Sequence, residues 1–213
     1  MKKAGMRAAK AALFALCLVP AAALVWRAQY GSLGVNPIET ITHATGDWTL
    51  RLLLLTLAVT PLRRIIGWNR LIGFRRMIGL FAFFYATLHL LTYAWLDQMF
   101  AWPSILHDIP KRPFITVGFA AFVLLVPLAL TSTAGAIRRL GGVWWRRLHS
   151  LVYVAAALGV VHFWWLVKAD ISRPAQYGCG LAVLLLARAW FAARKRLAAP
   201  ALGRAIVPQK TQS

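Results

Sequence analysis

The chain has 213 residues, 60% of them hydrophobic and only 14% charged, with a mean hydropathy of +0.64 and a formal net charge of +20. Soluble domains run nearer half apolar and about a quarter charged, so this composition excludes a soluble enzyme or a soluble scaffold. The basic residues lie in short clusters between long apolar runs, which argues against nucleic-acid binding and for a polytopic membrane protein.

In chain order, six runs are apolar enough for membrane helices: Ala11–Trp26, Trp48–Leu62, Met77–Leu96, Phe114–Thr131, Leu148–Val167 and Gly178–Ala193. Several fall short of the ~20 residues a span needs, so their ends are expected to run into the flanking residues. The predicted fold is an all-α polytopic bundle. Residues 1–10 form an N-terminal segment, residues 11–193 the six-helix transmembrane domain and residues 194–213 a tail.

Charge sets the expected orientation. With a cytoplasmic N-terminus, eighteen of the 25 Lys and Arg residues fall in inside segments and five in outside ones, leaving Arg51 and Arg188 within helices. The acids Glu39, Asp47, Asp97, Asp108 and Asp170 all fall at or in outside segments. Basic residues dominate orientation, so both termini are expected in the cytoplasm, in a bacterial inner membrane. A basic start followed by an apolar run and Ala21-Ala22-Ala23 also has the form of a signal peptide, but Leu24, Val25 and Trp26 extend the apolar run beyond the small residues, which favours an uncleaved anchor.

Cys17 and Cys179 lie inside apolar runs and there is no Cys-x-x-Cys-His, so neither a disulfide framework, a zinc site nor covalent haem attachment is indicated. The histidines carry more information. His89 lies 12 residues into the third span and His162 lies 14 residues into the fifth, both counted from the inside face, so their depths differ by about 3 Å. Ionisable residues at membrane depth are functional candidates. Two imidazoles at matched depth on different helices can clamp one haem iron from opposite faces, although an interhelical hydrogen bond is the plainer use of either one. His149 stands at the inside end of the fifth span, about 20 Å along the axis from His162. On an ideal helix the two side chains point about 140° apart, so sharing a face needs a bend or different rotamers. His43 and His107 are read as solvated loop residues. Trp68, Trp144, Trp145, Trp164 and Trp165 are read as an aromatic belt. Arg75 and Arg76, across from Arg146 and Arg147, serve either the positive-inside signal or a pocket for an anionic group, a haem propionate or a flavin phosphate.

At Gly46-Asp47-Trp48, Thr60-Pro61-Leu62-Arg63, Arg75-Arg76-Met77-Ile78-Gly79-Leu80 leading to His89, and Trp144-Arg146-Leu148-His149 leading to His162, the chain resembles the MsrQ family over nearly its whole length. These are haem-binding membrane subunits of the periplasmic methionine sulfoxide reductase system. The resemblance implies haem b, one or two, and FMN as cofactors. It implies His89, His162 and His149 as iron ligands, and Arg75 and Arg76 as cofactor-binding residues. It also implies a periplasmic molybdopterin partner, MsrP, and a cytoplasmic flavin reductase or the quinone pool as donor. Wider relatives, the ferric reductase and NADPH oxidase membrane domains, carry two histidines on each of two helices. Here the third span has only His89, with Arg75 and Arg76 where a second histidine is expected, which puts an inner haem in doubt. The 20 residues after Ala193 are too few for a nucleotide-binding domain, so a separate electron donor is expected. Against a transporter stands the lack of acids within the spans; against a metal-ion reductase stands the lack of a fused flavin domain. A haem-free scaffold is the remaining alternative.

Overall fold

The computed structural model describes residues 3–167 and 169–204. Lys2, Lys168 and Lys210, counted above among the basic residues, lie outside them, as do the side chains of Lys3, Lys195, Arg196 and Arg204. The described residues form helices and connecting turns, with no strand among them. In chain order the helices are α1 (Lys3–Gln29), α2 (Pro37–Ile66), α3 (Ile72–Leu91), α4 (Trp102–Lys111), α5 (Pro113–Leu130), α6 (Ala134–Leu140), α7 (Gly142–His149), α8 (Leu151–Leu166) and α9 (Ser172–Arg204). A short 3-10 turn over Asn69–Leu71 leads into α3, and a π-helical turn over Thr92–Asp97 continues it.

Five stretches are long and apolar enough to cross a membrane: Ala4–Gln29, Asn69–Asp97, Pro113–Leu130, Gly142–Leu166 and Ser172–Arg194. This is a multi-pass membrane protein. The expected second span lies in α2, whose 30 residues would extend about 45 Å, but Glu39, Asp47, Arg51, Arg63 and Arg64 keep it out of that apolar set.

Local sequence sets the helix ends. Asn36 caps α2 by accepting from the Glu39 N–H at 3.2 Å, and Pro37 occupies the first turn, where its missing N–H costs nothing. Gly67 ends α2 at φ 73°, the left-handed position that favours glycine. Met99 and Phe100 also take positive φ, 46° and 57°, where the chain reverses into α4.

α2 packs chiefly against α3, and α5 against α8, while α9 lies against α2 and α8. The core is closed by Leu57, Ala82, Tyr85, Ala155 and Ala156, each 0–1% exposed. Alanines at these contacts let backbones approach closely, which is how helices associate where lipid offers no hydrophobic drive. Large apolar side chains such as Leu16, Leu130, Val183 and Leu186 point outward instead, as a lipid-facing surface requires.

Tyr85 fastens α1 to this core. Pro20 disturbs the α1 ladder, and one turn around it is completed by a side chain from α3. The Tyr85 hydroxyl donates to the Cys17 carbonyl at 2.7 Å and accepts from the Ala21 N–H at 3.1 Å. It thus stands between the two groups that an unbroken helix would join directly.

The connections alternate between two ends of the bundle. One, here the acidic end, holds Glu39, Asp47, Asp97, Asp108 and Asp170; the other, the basic end, holds α6, α7 and the arginines between α2 and α3. Among the described residues every ion pair lies at the acidic end: His43–Glu39, Arg51–Asp47, Arg112–Asp108 and Arg173–Asp47. The region between the third and fourth expected spans is not the plain loop foreseen. It folds as α4, with Ile105 and Asp108 buried, Ile109 half-buried and the rest exposed.

Candidate functional site

Two cavities of about 550 Å³ each are stacked between α2, α3, α5 and α8. The one nearer the acidic end is lined by both His89 and His162. The one nearer the basic end is lined by Arg75, Arg76, Arg146, His149, Trp145 and Tyr153. Leu53 and Leu125 belong to the lining of both, so a layer of leucine separates them. Each volume lies within the range that cofactor and ligand sites take, roughly 300–1,000 Å³.

In the upper cavity the rings of His89 and His162 have their centres 6.0 Å apart, with planes at 83°. A metal–imidazole bond of about 2.0 Å on either side of one iron sets ring centres roughly 6 Å apart. The hydrogen bonds fix which nitrogen could bind. Nδ1 of His89 donates to the Thr42 carbonyl at 2.9 Å, and Nδ1 of His162 donates to the Phe114 carbonyl at 2.6 Å. An imidazole that gives its Nδ1–H to a carbonyl keeps a lone pair on Nε2, the usual arrangement for a metal-ligating histidine. Neither Nε2 has a partner among the described residues. The cavity between is otherwise largely apolar, lined by residues such as Leu50, Phe122 and Phe163. The residues present therefore fit a haem whose iron the two Nε2 atoms would hold.

Two glycines make room for the rings. A Cβ on Gly118 would stand 2.6 Å from Nδ1 of His162, and one on Gly46 would stand 3.1 Å from Cε1 of His89. Gly46 was visible in the sequence only as part of a motif, and Gly118 carried no signal, because each glycine's partner lies on another helix.

His149 differs from the other two. Its Nε2 lies 3.0 Å from the Thr131 hydroxyl, and its ring stacks on Trp145 with centres 4.0 Å apart. Thr131 already gives its one proton to the Pro127 carbonyl at 2.6 Å. With its proton on that carbonyl, the hydroxyl can accept from His149 when the ring carries its proton on Nε2. Iron ligation through Nε2 would require that bond to break. Ser150 separates α7 from α8 but keeps helical backbone angles, φ -72° and ψ -18°, and its N–H still bonds to the Arg146 carbonyl. His149 and His162 both line cavities bounded by α3 and α5.

Arg75, Arg76 and Arg146 enter the lower cavity together, whereas Arg147 lies over the Trp144 ring, 5.0 Å from its centre. Arg188 reaches toward the same region from α9, donating to the Tyr153 hydroxyl and to the Leu57 carbonyl. Arg51, the other arginine expected within a helix, pairs with Asp47 at 3.5 Å and donates to the Tyr177 hydroxyl at 3.2 Å.

His43 and His107 are not in loops. His43 lies in α2 and lines the upper cavity, and His107 lies exposed in α4. The helix begins eleven residues ahead of the expected Trp48, at Pro37, because polar residues in its first turns can stand outside an apolar layer without ending the helix.

The family model described as "Ferric reductase like transmembrane component" matches residues 45–160, and a histidine pair facing one cavity of a multi-pass helical bundle accords with that class of membrane protein. Three relatives carry the description "Protein-methionine-sulfoxide reductase heme-binding subunit MsrQ". The one from Herminiimonas arsenicoxydans is 54% identical over 189 residues, covering 88% of this chain and 87% of the relative. That from Xanthomonas campestris pv. campestris (strain 8004) is 52% identical over 204 residues, covering 93% and 91%. That from Rhodospirillum rubrum is 52% identical over 193 residues, covering 89% and 91%. The chain belongs to the MsrQ family, within the ferric-reductase-like membrane proteins.

Proposed function

We propose that this chain is a b-type cytochrome of the bacterial inner membrane. It conducts electrons from a cytoplasmic flavin reductase or the quinone pool to a periplasmic molybdopterin methionine sulfoxide reductase, MsrP, which repairs oxidised envelope proteins. Six spans cross the bilayer, α2 among them, with both termini in the cytoplasm and the acidic end in the periplasm. The observation that carries the reading is the His89–His162 pair: both Nδ1 atoms are committed to carbonyls and both rings stand on the wall of one apolar cavity.

Haem b, when bound there, supplies a one-electron couple at its iron. The chain does the rest. His89 and His162 would hold its iron, the Thr42 and Phe114 carbonyls hold the rings in one tautomer, and the apolar lining would keep water away. The lower cavity takes a second, anionic redox group from the cytoplasmic side. Arg75 and Arg76 hold either the phosphate of FMN or the propionates of a second haem, for which His149 is the available histidine.

The test is the visible spectrum of the purified protein. A low-spin b-type signal, with a sharp α band on reduction, is expected in the wild type and lost in His89→Ala and His162→Ala. Full retention of low-spin haem in either membrane-inserted variant would overturn the pairing.

A further inference from the structure

The mouth of the upper cavity carries two matching relays. At one, the Tyr93 hydroxyl donates to Asp108 at 3.1 Å and Asp108 pairs with Nε of Arg112 at 3.3 Å. At the other, the Tyr177 hydroxyl donates to Asp47 at 3.3 Å and Asp47 pairs with Nη1 of Arg173 at 3.4 Å. Both aspartate side chains are 12% exposed, while Arg112 and Arg173 are 53% and 65% exposed. Among the described lining residues these two arginines are the only Lys or Arg side chains. They come from different parts of the chain, the α4–α5 junction and the start of α9. An arginine has five N–H donors, so each keeps several beyond those aimed at its aspartate.

From this we infer that Arg112 and Arg173 bind the two propionates of the haem held by His89 and His162, and that the macrocycle therefore stands with its carboxylate edge toward the acidic end. The inference rests on the haem reading above. Its physical basis is that carboxylates cannot be left in apolar surroundings without cationic partners. The opposite end of this cavity is closed by Leu53 and Leu125, which offer none. Each aspartate, held by its tyrosine, positions its arginine at the rim, and Asp47 also pairs with Arg51 at 3.5 Å. Asp97 and His43 also line the cavity, and neither is a fixed cation.

The experiment measures the midpoint potential of the low-spin haem in wild type, Arg112→Gln, Arg173→Gln and the double variant. Each variant is reconstituted with haem b and, in parallel, with its dimethyl ester, whose carboxylates are uncharged. Removing a cation beside a carboxylate raises the energy of the more negative, reduced form. Each single variant is thus expected to lower the potential of the haem form, and the double variant to lower it further. The dimethyl ester forms should respond much less. Equal potentials in all haem forms, at wild-type haem content, would overturn the inference while leaving the His89–His162 pairing intact. A shift produced by Arg75→Gln instead would place the carboxylates toward the basic end and overturn it likewise. Absence of low-spin haem from the wild type would remove the haem reading itself.

Discussion

Gly118 of α5 and His162 of α8 touch so closely that a methyl group could not be placed between them: a Cβ on the glycine would stand 2.6 Å from Nδ1 and 2.8 Å from Cε1 of the ring. The histidine's bond to the Phe114 carbonyl, one turn earlier on α5, depends on that approach. Helix propensity alone would make Gly118→Ala stabilising by roughly 0.5–1 kcal/mol. The expectation is the opposite for the cofactor: low-spin haem per protein falls severalfold in Gly118→Ala, as the ring is pushed off its carbonyl. Gly46→Ala, with its nearest approach at 3.1 Å, should lose less. Haem-to-protein ratios by pyridine haemochrome would check both, and unchanged occupancy in Gly118→Ala would show that the ring has room to shift.

His149→Ala is expected to slow reduction of the upper haem by a cytoplasmic donor while leaving that haem's spectrum intact, because His149 lines only the lower cavity. Arg75→Ala and Arg76→Ala are expected to lower cofactor content, by removing charge-assisted hydrogen bonds of about 1.5–3 kcal/mol each. Stopped-flow reduction in inverted vesicles, with haem and FMN assayed on the same preparations, measures both effects. A wild-type rate in His149→Ala at equal cofactor content would reduce that residue to an interfacial histidine stacked on Trp145.

Reporter fusions address the orientation. Alkaline phosphatase joined at the C-terminus is expected to be inactive, and joined between Met99 and Trp102 to be active. Activity at the C-terminus would mean that α2 does not cross the bilayer or that another helix does.

Tyr85→Phe removes the hydroxyl that stands between the Cys17 carbonyl and the Ala21 N–H. The expected cost is about 1–2 kcal/mol, read as a lower melting temperature in detergent. The haem spectrum should be unchanged, because Tyr85 lines neither cavity.

Much of this architecture was legible in the residues because a bilayer leaves few choices: apolar runs must be helices, and the sorting of acids from arginines marks the two ends. The matched depth of His89 and His162, about 3 Å apart along the axis, followed from counting along two helices, and the ring centres lie 6.0 Å apart. What could not be read is what depends on rotation and on neighbours distant in sequence. Gly118 carries no mark of His162, and neither Thr42 nor Phe114 announces that its carbonyl will orient an imidazole. The α4 helix was hidden because it is short and two-faced, with no run long enough to register as a span. The start of α2 was hidden because Glu39, His43 and Asp47 read as loop until their helical register brings His43 and Asp47 onto the cavity wall.

The leucine layer between the two cavities has a kinetic meaning. Leu53 and Leu125 face both chambers, so redox groups in the two would be parted by little more than aliphatic side chains. Such a barrier is opaque to ions, water and protons, since it offers them no hydrogen-bonding group. An electron needs no such group, only a short gap. Under the function proposed above, that layer would pass electrons while blocking ions and protons, and an electron crossing the bilayer would feel the membrane potential at about 2.3 kcal/mol per elementary charge for every 100 mV traversed.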